Sequence, residues 1–558
     1  MAERMHTSGD LDHHTGAGAG TNRREFIAKT ALLGAGIGVG GRALASKAAM
    51  AASSAAVVLR DNEPGPYDLV INGGRCVDPE TGLHAVRNIG IKGGRIAAIS
   101  DKKLAGKKTL NAEGQIVAPG FIDLHAHGQQ LPAAWMQAFD GVTTALEMES
   151  GLLPVGKFYA DVAKEGRPIN YGTGAAWTYA RVATKEPEYD PPDATLGWFQ
   201  GAFALKNWQN TIATEEELER IIGMVEQGLN EGGLGISING GYAPGYGHKE
   251  YHALAELAVK HGVATYTHVR YLKNSEPRSS WEAYQEQISL AAITGAHMHV
   301  CHLNSTSLSD IEDCAALVKQ AQDRGLPVTV EAYTYGAGSS AVGADLFRGA
   351  DWLDRWGLDD ASAMEFNGTP LNQAKIDEMQ KSSPGDIVVI HYLRPDQSKE
   401  DQRLLDLSVL YPGGAIATDA MPWTDAKGNI IEGDVWPLPD DAFAHPRSAG
   451  TYSRFLGRWV RERKALPLLE AIRKTSLIPA QILEKAVPQM KKKGRLQVGA
   501  DADIVVFDLE TVSDQATYTD PAQLSRGFRH VVVNGTTIID EGERQGDVRP
   551  GQPVRRSV

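Results

Sequence analysis

From Val117 to Pro488, short apolar runs alternate with stretches whose apolar residues recur at helical spacing. The candidate strands are Ile116–His125, Val142–Glu149, Ile169–Trp177, Leu234–Asn239, Val263–Val269, His297–Leu303, Val328–Tyr335, Ile387–Leu393 and Ala415–Asp419. Between them, Glu215–Glu231, Glu250–His261, Ser307–Arg324 and Lys464–Ile472 read as helices. Repeated strand–helix units imply a parallel sheet, and about eight of them favour a closed (β/α)8 barrel over an open one. Nine runs are one more than a barrel needs, so one of them is a loop strand or no strand at all.

Both ends of the globular part are β-rich. Asp68–Ser100 breaks into short runs at Asn-Gly, Gly-Gly and Pro-Glu-Thr-Gly, and Gly499–Val512 and His530–Gly542 do the same near the C-terminus. Each end carries an apolar-Asn-Gly signal read as a hairpin, and each is short for a core of its own. The expectation is an α/β protein: a TIM-like barrel over 116–490, with one small β-sandwich built from 53–115 and 491–558.

Residues 1–52 read as a leader and linker. Paired arginines in Asn22-Arg23-Arg24-Glu25-Phe26 precede an apolar Gly/Ala run, Thr30–Gly41, and a small-x-small site at Ala43-Leu44-Ala45. The run is too short for a bilayer, which takes roughly 20 residues. Twin-arginine export carries folded cargo, so the expected address is periplasmic or secreted, with no membrane partner after export. A net charge of −13 argues against nucleic acid as a partner. Three cysteines (Cys76, Cys301 and Cys314) make no disulfide framework, and Cys301 reads as packing.

The ends of the strands carry the chemistry. His125 and His127 stand two apart at the end of VAPGFIDLHAHGQ, so both imidazoles leave one face of a strand. Glu147 and Glu149 end the next strand in the same way; His268, His302 and Asp419 end later ones. Histidine and carboxylate at five strand ends of a barrel, whose active site lies at the C-terminal face, are explained together as a zinc site of one or two ions. His261 and His297 read as structural.

The stretches VAPGFIDLHAHGQ, GVTTALEMESG, GLGISINGGYAPGYG, THVR, AIATDA and HPRSAGTYSRFLGRWVRERKALPLLEAIRKTSLIPAQILE resemble the amidohydrolase superfamily. Within it they are similar to the N-acyl-D-amino-acid deacylases, in particular the N-acyl-D-glutamate deacylase branch, from about Tyr67 to the C-terminus. The resemblance implies His125 and His127 on a more buried metal, His268 and His302 on a more exposed one, and Asp419 as general acid/base that also touches metal. It departs at the bridging ligand. Ser150 stands where the D-aminoacylases have cysteine, and Gly172–Tyr179 holds no lysine to carboxylate. Glu149 is the preferred bridge, with Glu147 as the alternate.

The resemblance implies zinc-dependent hydrolysis of a small N-acylated amino acid. Asp419 would take a proton from the attacking water and return it to the departing amine. Tyr333 or Tyr335 would steady the oxyanion, and Arg270 or Arg394 would hold carboxylate. Asn304 stands where the D-aminoacylases tend to bind substrate with lysine. Asn239–Gly247 sets a loop, and Met421–Ser448 reads as a lid or a capping loop. The rival readings are a hydrolase of cyclic amides or peptides, and a barrel kept as a non-catalytic scaffold. Oligomeric state is not legible.

Overall fold

A computed structural model describes residues 66–272 and 276–557. The twin-arginine segment and the rest of the expected leader lie outside the described residues.

Eight parallel strands follow one another in chain order around a sheet: Phe121–Asp123, Val142–Leu152, Asn170–Ala176, Ile236–Asn239, Ala264–His268, His297–Val300, Val328–Ala332 and Ala415–Ile416. Its two edges meet. Ala126 bridges Ala420 in parallel, and the Thr418 amide donates to Asp123 Oδ1 at 3.0 Å. The sheet is therefore a barrel, and the strands can be apolar throughout because helices cover their outer face. All eleven residues of Val142–Leu152 are buried. Three of the four expected helices form, at Glu215–Asn230, His248–His261 and Ile311–Asp323, the first opened by a Thr214/Glu217 capping box. Of Lys464–Ile472 only Leu468–Ile472 is α-helical.

The surplus ninth run is Ile387–His391. It pairs antiparallel with Ala337–Ala341 and Met364–Phe366 in a separate four-stranded sheet, inserted between the last two barrel strands. Its apolar composition fits either sheet, so composition alone misplaced it.

The two β-rich ends combine. Ile504–Phe507 pairs antiparallel with Ile116–Pro119, which also pairs with Tyr67–Asp78, and a nine-stranded sheet results. It carries its own buried cluster of Leu69, Ile71, Ile89, Ile91, Val117, Ile504 and Val532. The run read as one strand, Ile116–His125, is split at Gly120: its first part belongs to this sheet and its second begins the barrel.

The two Asn-Gly signals differ in outcome. Asn534-Gly535, both at positive φ, turns the hairpin between Phe528–Val533 and Thr536–Asp540. Asn72-Gly73 instead lies inside Tyr67–Asp78, where the pairing shifts between Ile71 and Gly74. There Gly73 takes a positive φ as a bulge, and its amide donates to Asn88 Oδ1. All three cysteines are free and buried.

Candidate metal centre

Barrel closure brings six of the sequence-predicted residues into one buried cluster. His125 Nε2 and His127 Nε2 face each other at 3.1 Å. Glu149 Oε2 stands 3.4 and 3.5 Å from these nitrogens, and Asp419 Oδ1 stands 3.4 and 3.3 Å from them. A tetrahedral zinc with ligands near 2.0–2.1 Å requires donor–donor edges of about 3.3 Å. Five of the six edges of such a tetrahedron are therefore in place. On the other side, Glu149 Oε1 lies 3.0 Å from His268 Nδ1 and 2.8 Å from His302 Nε2. One carboxylate thus offers an oxygen to each pair of histidines, and the donor set fits two divalent ions.

Carboxylates fix the rings from behind. Glu331 Oε1 lies 2.6 Å from His125 Nδ1, and Glu147 Oε2 lies 2.9 Å from His127 Nδ1. A carboxylate on Nδ1 keeps the proton there and leaves the Nε2 lone pair for a cation. Glu147 Oε1 also accepts from the Ser150 and Gly151 amides, so Glu147 orients His127 and is turned away from the place between the histidine pairs. Asn239, the last residue of its strand, donates to Glu149 Oε2 at 2.9 Å. Gly241 lets that loop approach His268: a Cβ there would stand 2.6 Å from the imidazole Cδ2.

The field of the cluster favours positive charge. Burial pushes the Asp419 carboxyl up, but Arg447 and His125 outweigh it and hold Asp419 below the ordinary carboxylate range. Glu149 behaves alike: burial is overcome by His125, His268 and His302. Burial opposes a charged His127, yet Glu147 and Asp419 lift that imidazole to about 10. His302 and Asp419 both sit at positive φ, 36° and 54°, a backbone conformation uncommon outside glycine that turns their side chains into the cluster.

Arg447 escaped the sequence reading. Met421–Ser448 packs Trp423, Ala442 and Ala444 against Ala133 and Met136, and it delivers Arg447 to the site. Arg447 Nη2 lies 2.9 Å from Asp419 Oδ1, and its guanidinium stacks over Tyr333 at 4.7 Å. None of its three buried nitrogens has an aligned hydrogen-bond acceptor. A buried cation with unused donors is costly unless an anion meets it. The signal was present, as His445-Pro446-Arg447, but nothing local aims that arginine inward.

The proposed substrate residues divide. Tyr333 stays beside Arg447 and His302, with its hydroxyl 3.2 Å from that of Tyr392. Tyr335 packs instead against His445 and Tyr518 under Arg454, away from the donor atoms. Asn304 Nδ2 donates to the Tyr333 and Tyr335 carbonyls, which makes it a brace for that turn. Arg270 is committed elsewhere: it pairs with Glu286 at 2.6 Å, donates to the Tyr246 carbonyl and stacks on the Tyr246 ring. Arg394 is exposed and follows the antiparallel insert strand, where its amide donates to Asp401 Oδ2. Above the cluster, a small pocket that reaches His127 and Ser150 is walled by Leu196, Phe199, Phe203, Tyr242 and Met421.

Comparison with known proteins agrees with this geometry. Residues 108–539 match the sequence model described as "Amidohydrolase family". An N-acyl-D-glutamate deacylase of Alcaligenes xylosoxydans xylosoxydans is 27% identical over 524 residues, covering 88% of this chain and 97% of that protein. A D-aminoacylase of the same organism is 26% identical, covering 87% and 96%. The crystal structure of an N-acyl-D-glutamate deacylase from Bordetella bronchiseptica, complexed with zinc and a phosphonate inhibitor, shares the fold. Its TM-score is 0.66 at 23% identity, covering 88% of this chain and all of that one.

Proposed function

The chain belongs to the amidohydrolase family, and we propose that it hydrolyses the amide bond of N-acyl-D-amino acids, N-acyl-D-glutamate in particular, with zinc. The observation that carries this reading is the single carboxylate, Glu149, set between two histidine pairs with Asp419 closing the tetrahedron.

His125, His127, Glu149, Asp419, His268 and His302 would hold zinc, which would supply Lewis acidity and an activated water. Asp419 would accept a proton from the attacking water and pass it to the departing nitrogen. Arg447, with unspent donors beside Asp419, grips the substrate carboxylate and so aims the amide at the cluster. The Tyr333 hydroxyl donates to the oxygen on which charge develops. The acyl group enters the apolar pocket of Leu196, Phe199 and Phe203, which keeps bulk water from the reacting carbon. The twin-arginine segment supports export, so the reaction takes place outside the cytoplasm; the address is checked by fractionating cells with and without Arg23 and Arg24.

The test is a side-by-side assay of the zinc-loaded protein on N-acetyl-D-Glu, N-acetyl-D-Leu, N-acetyl-L-Glu and a hydantoin. Turnover of the D-amides, with N-acetyl-D-Glu ahead, is expected. Turnover of the L-substrate alone, or of the hydantoin alone, would reject the reading.

A further inference from the structure

Two neighbouring barrel strands, His297–Val300 and Val328–Ala332, pair with His299 opposite Thr329. Since side chains alternate along a strand, His297 and His299 share a face, as do Thr329 and Glu331. These four side chains interleave in an unbroken hydrogen-bonded column. His297 Nε2 lies 2.8 Å from Thr329 Oγ1, which lies 2.9 Å from His299 Nδ1. His299 Nε2 then lies 3.2 Å from Glu331 Oε2, whose other oxygen lies 2.6 Å from His125 Nδ1. The column thus runs from the candidate metal centre down through the barrel. It ends at His297 in a cavity at the opposite end, lined also by Thr329, Gly413, Glu470 and Arg473.

The donors along this column can be assigned. Glu331 is an acceptor, so His125 gives it the Nδ1 proton and His299 the Nε2 proton. A neutral His299 that has spent its proton on Glu331 offers a bare Nδ1 to Thr329. The threonine hydroxyl has one proton, which goes to that nitrogen, and its lone pair is left for His297 Nε2–H. Burial brings His297 down to about 4, in keeping with a neutral ring there. Glu331 thus sets the tautomer of His299, and the Thr329 hydroxyl passes that direction on to His297.

We propose that Thr329 and His299 are positioning residues for the metal centre: His299, anchored by Thr329, gives Glu331 a second donor that keeps the carboxylate turned to His125 Nδ1, and so holds His125 with Nε2 free to bind metal. The role assigned to His125 rests on the function proposed above. Without the threonine hydroxyl, His299 Nδ1 loses that donor and the ring is anchored through Nε2 alone. A ring free to tilt off Glu331 leaves the carboxylate without the bond that keeps it turned to His125.

Thr329→Val keeps the shape and removes the hydroxyl, while Thr329→Ser restores the hydroxyl and loses a methyl. Zinc affinity is measured by chelator competition on full-length protein, and cobalt-substituted protein gives the ligand-field spectrum. The Val variant should lose about tenfold in affinity and shift the cobalt bands, and the Ser variant should recover both. Nitrogen-15 shifts of the histidine rings should show His299 protonated at Nε2 in the wild type, with its Nδ1 signal moved toward that of an unbonded nitrogen in the Val variant. Equal zinc affinity and equal cobalt bands in wild type and Val would overturn the proposal. So would a Ser variant no better than Val, or a wild-type His299 protonated at Nδ1. A wild-type protein that binds no zinc would sink the proposed function instead, and the tautomer measurement would still decide the column.

Discussion

Arg447 Nη2 lies 2.9 Å from Asp419 Oδ1, and both residues are buried. The residue cast as proton carrier is therefore held ionised by an arginine whose remaining donors are unspent.

Arg447→Met should weaken substrate binding and also disturb Asp419. Loss of a buried charged partner costs about 2–5 kcal/mol, upward of ~30-fold in kcat/KM. Arg447 pulls the Asp419 carboxyl down against the upward push of burial, so its removal raises that pKa. The acid limb of the kcat/KM profile should move to higher pH. An unmoved limb with an unchanged KM would place the carboxylate grip elsewhere.

Asp419→Asn keeps an oxygen for the metal and removes the proton acceptor. Turnover should fall by about 10²- to 10⁴-fold while bound metal, read by elemental analysis, stays close to the wild-type amount. Full activity would assign the base to another residue.

The two glutamates of Val142–Leu152 should part company. Glu149→Gln should lower the number of ions bound, because it alone faces both histidine pairs. Glu147→Gln should keep the stoichiometry and weaken affinity by about tenfold, since it acts through the His127 ring. The reverse pattern would make Glu147 the bridge.

Leu196→Ala should widen the apolar pocket. The ratio of N-hexanoyl- to N-acetyl-D-Glu turnover should then rise by about tenfold, the scale of a methylene or two in a hydrophobic site. An unchanged ratio would put the acyl group outside this pocket.

Zinc should stabilise the fold, because its donors lie far apart in the chain and converge only when the barrel closes. At a free concentration of 1,000 Kd the gain is about 4 kcal/mol, seen as a rise in Tm that EDTA reverses. A Tm indifferent to both would argue against a preformed site.

By itself the sequence determined the strand–helix alternation, the union of the two β-rich ends, and the type of residue at each strand's end. These are local matters: side-chain period, turn chemistry and the apolar runs that a barrel covered by helices demands. The same local signals could not tell Ile387–His391 from a barrel strand, or Asn72-Gly73 from a hairpin turn, because both depend on which strand lies alongside. Only the tertiary structure decided that Glu149 lies between the histidine pairs while Glu147 turns away, and that Arg270 is spent on Glu286. It alone also brought Arg447, from a segment with no regular period, to Asp419. A side chain's type is written in the chain, but its partner is chosen when the barrel closes and each buried charge must find the opposite charge nearest to it.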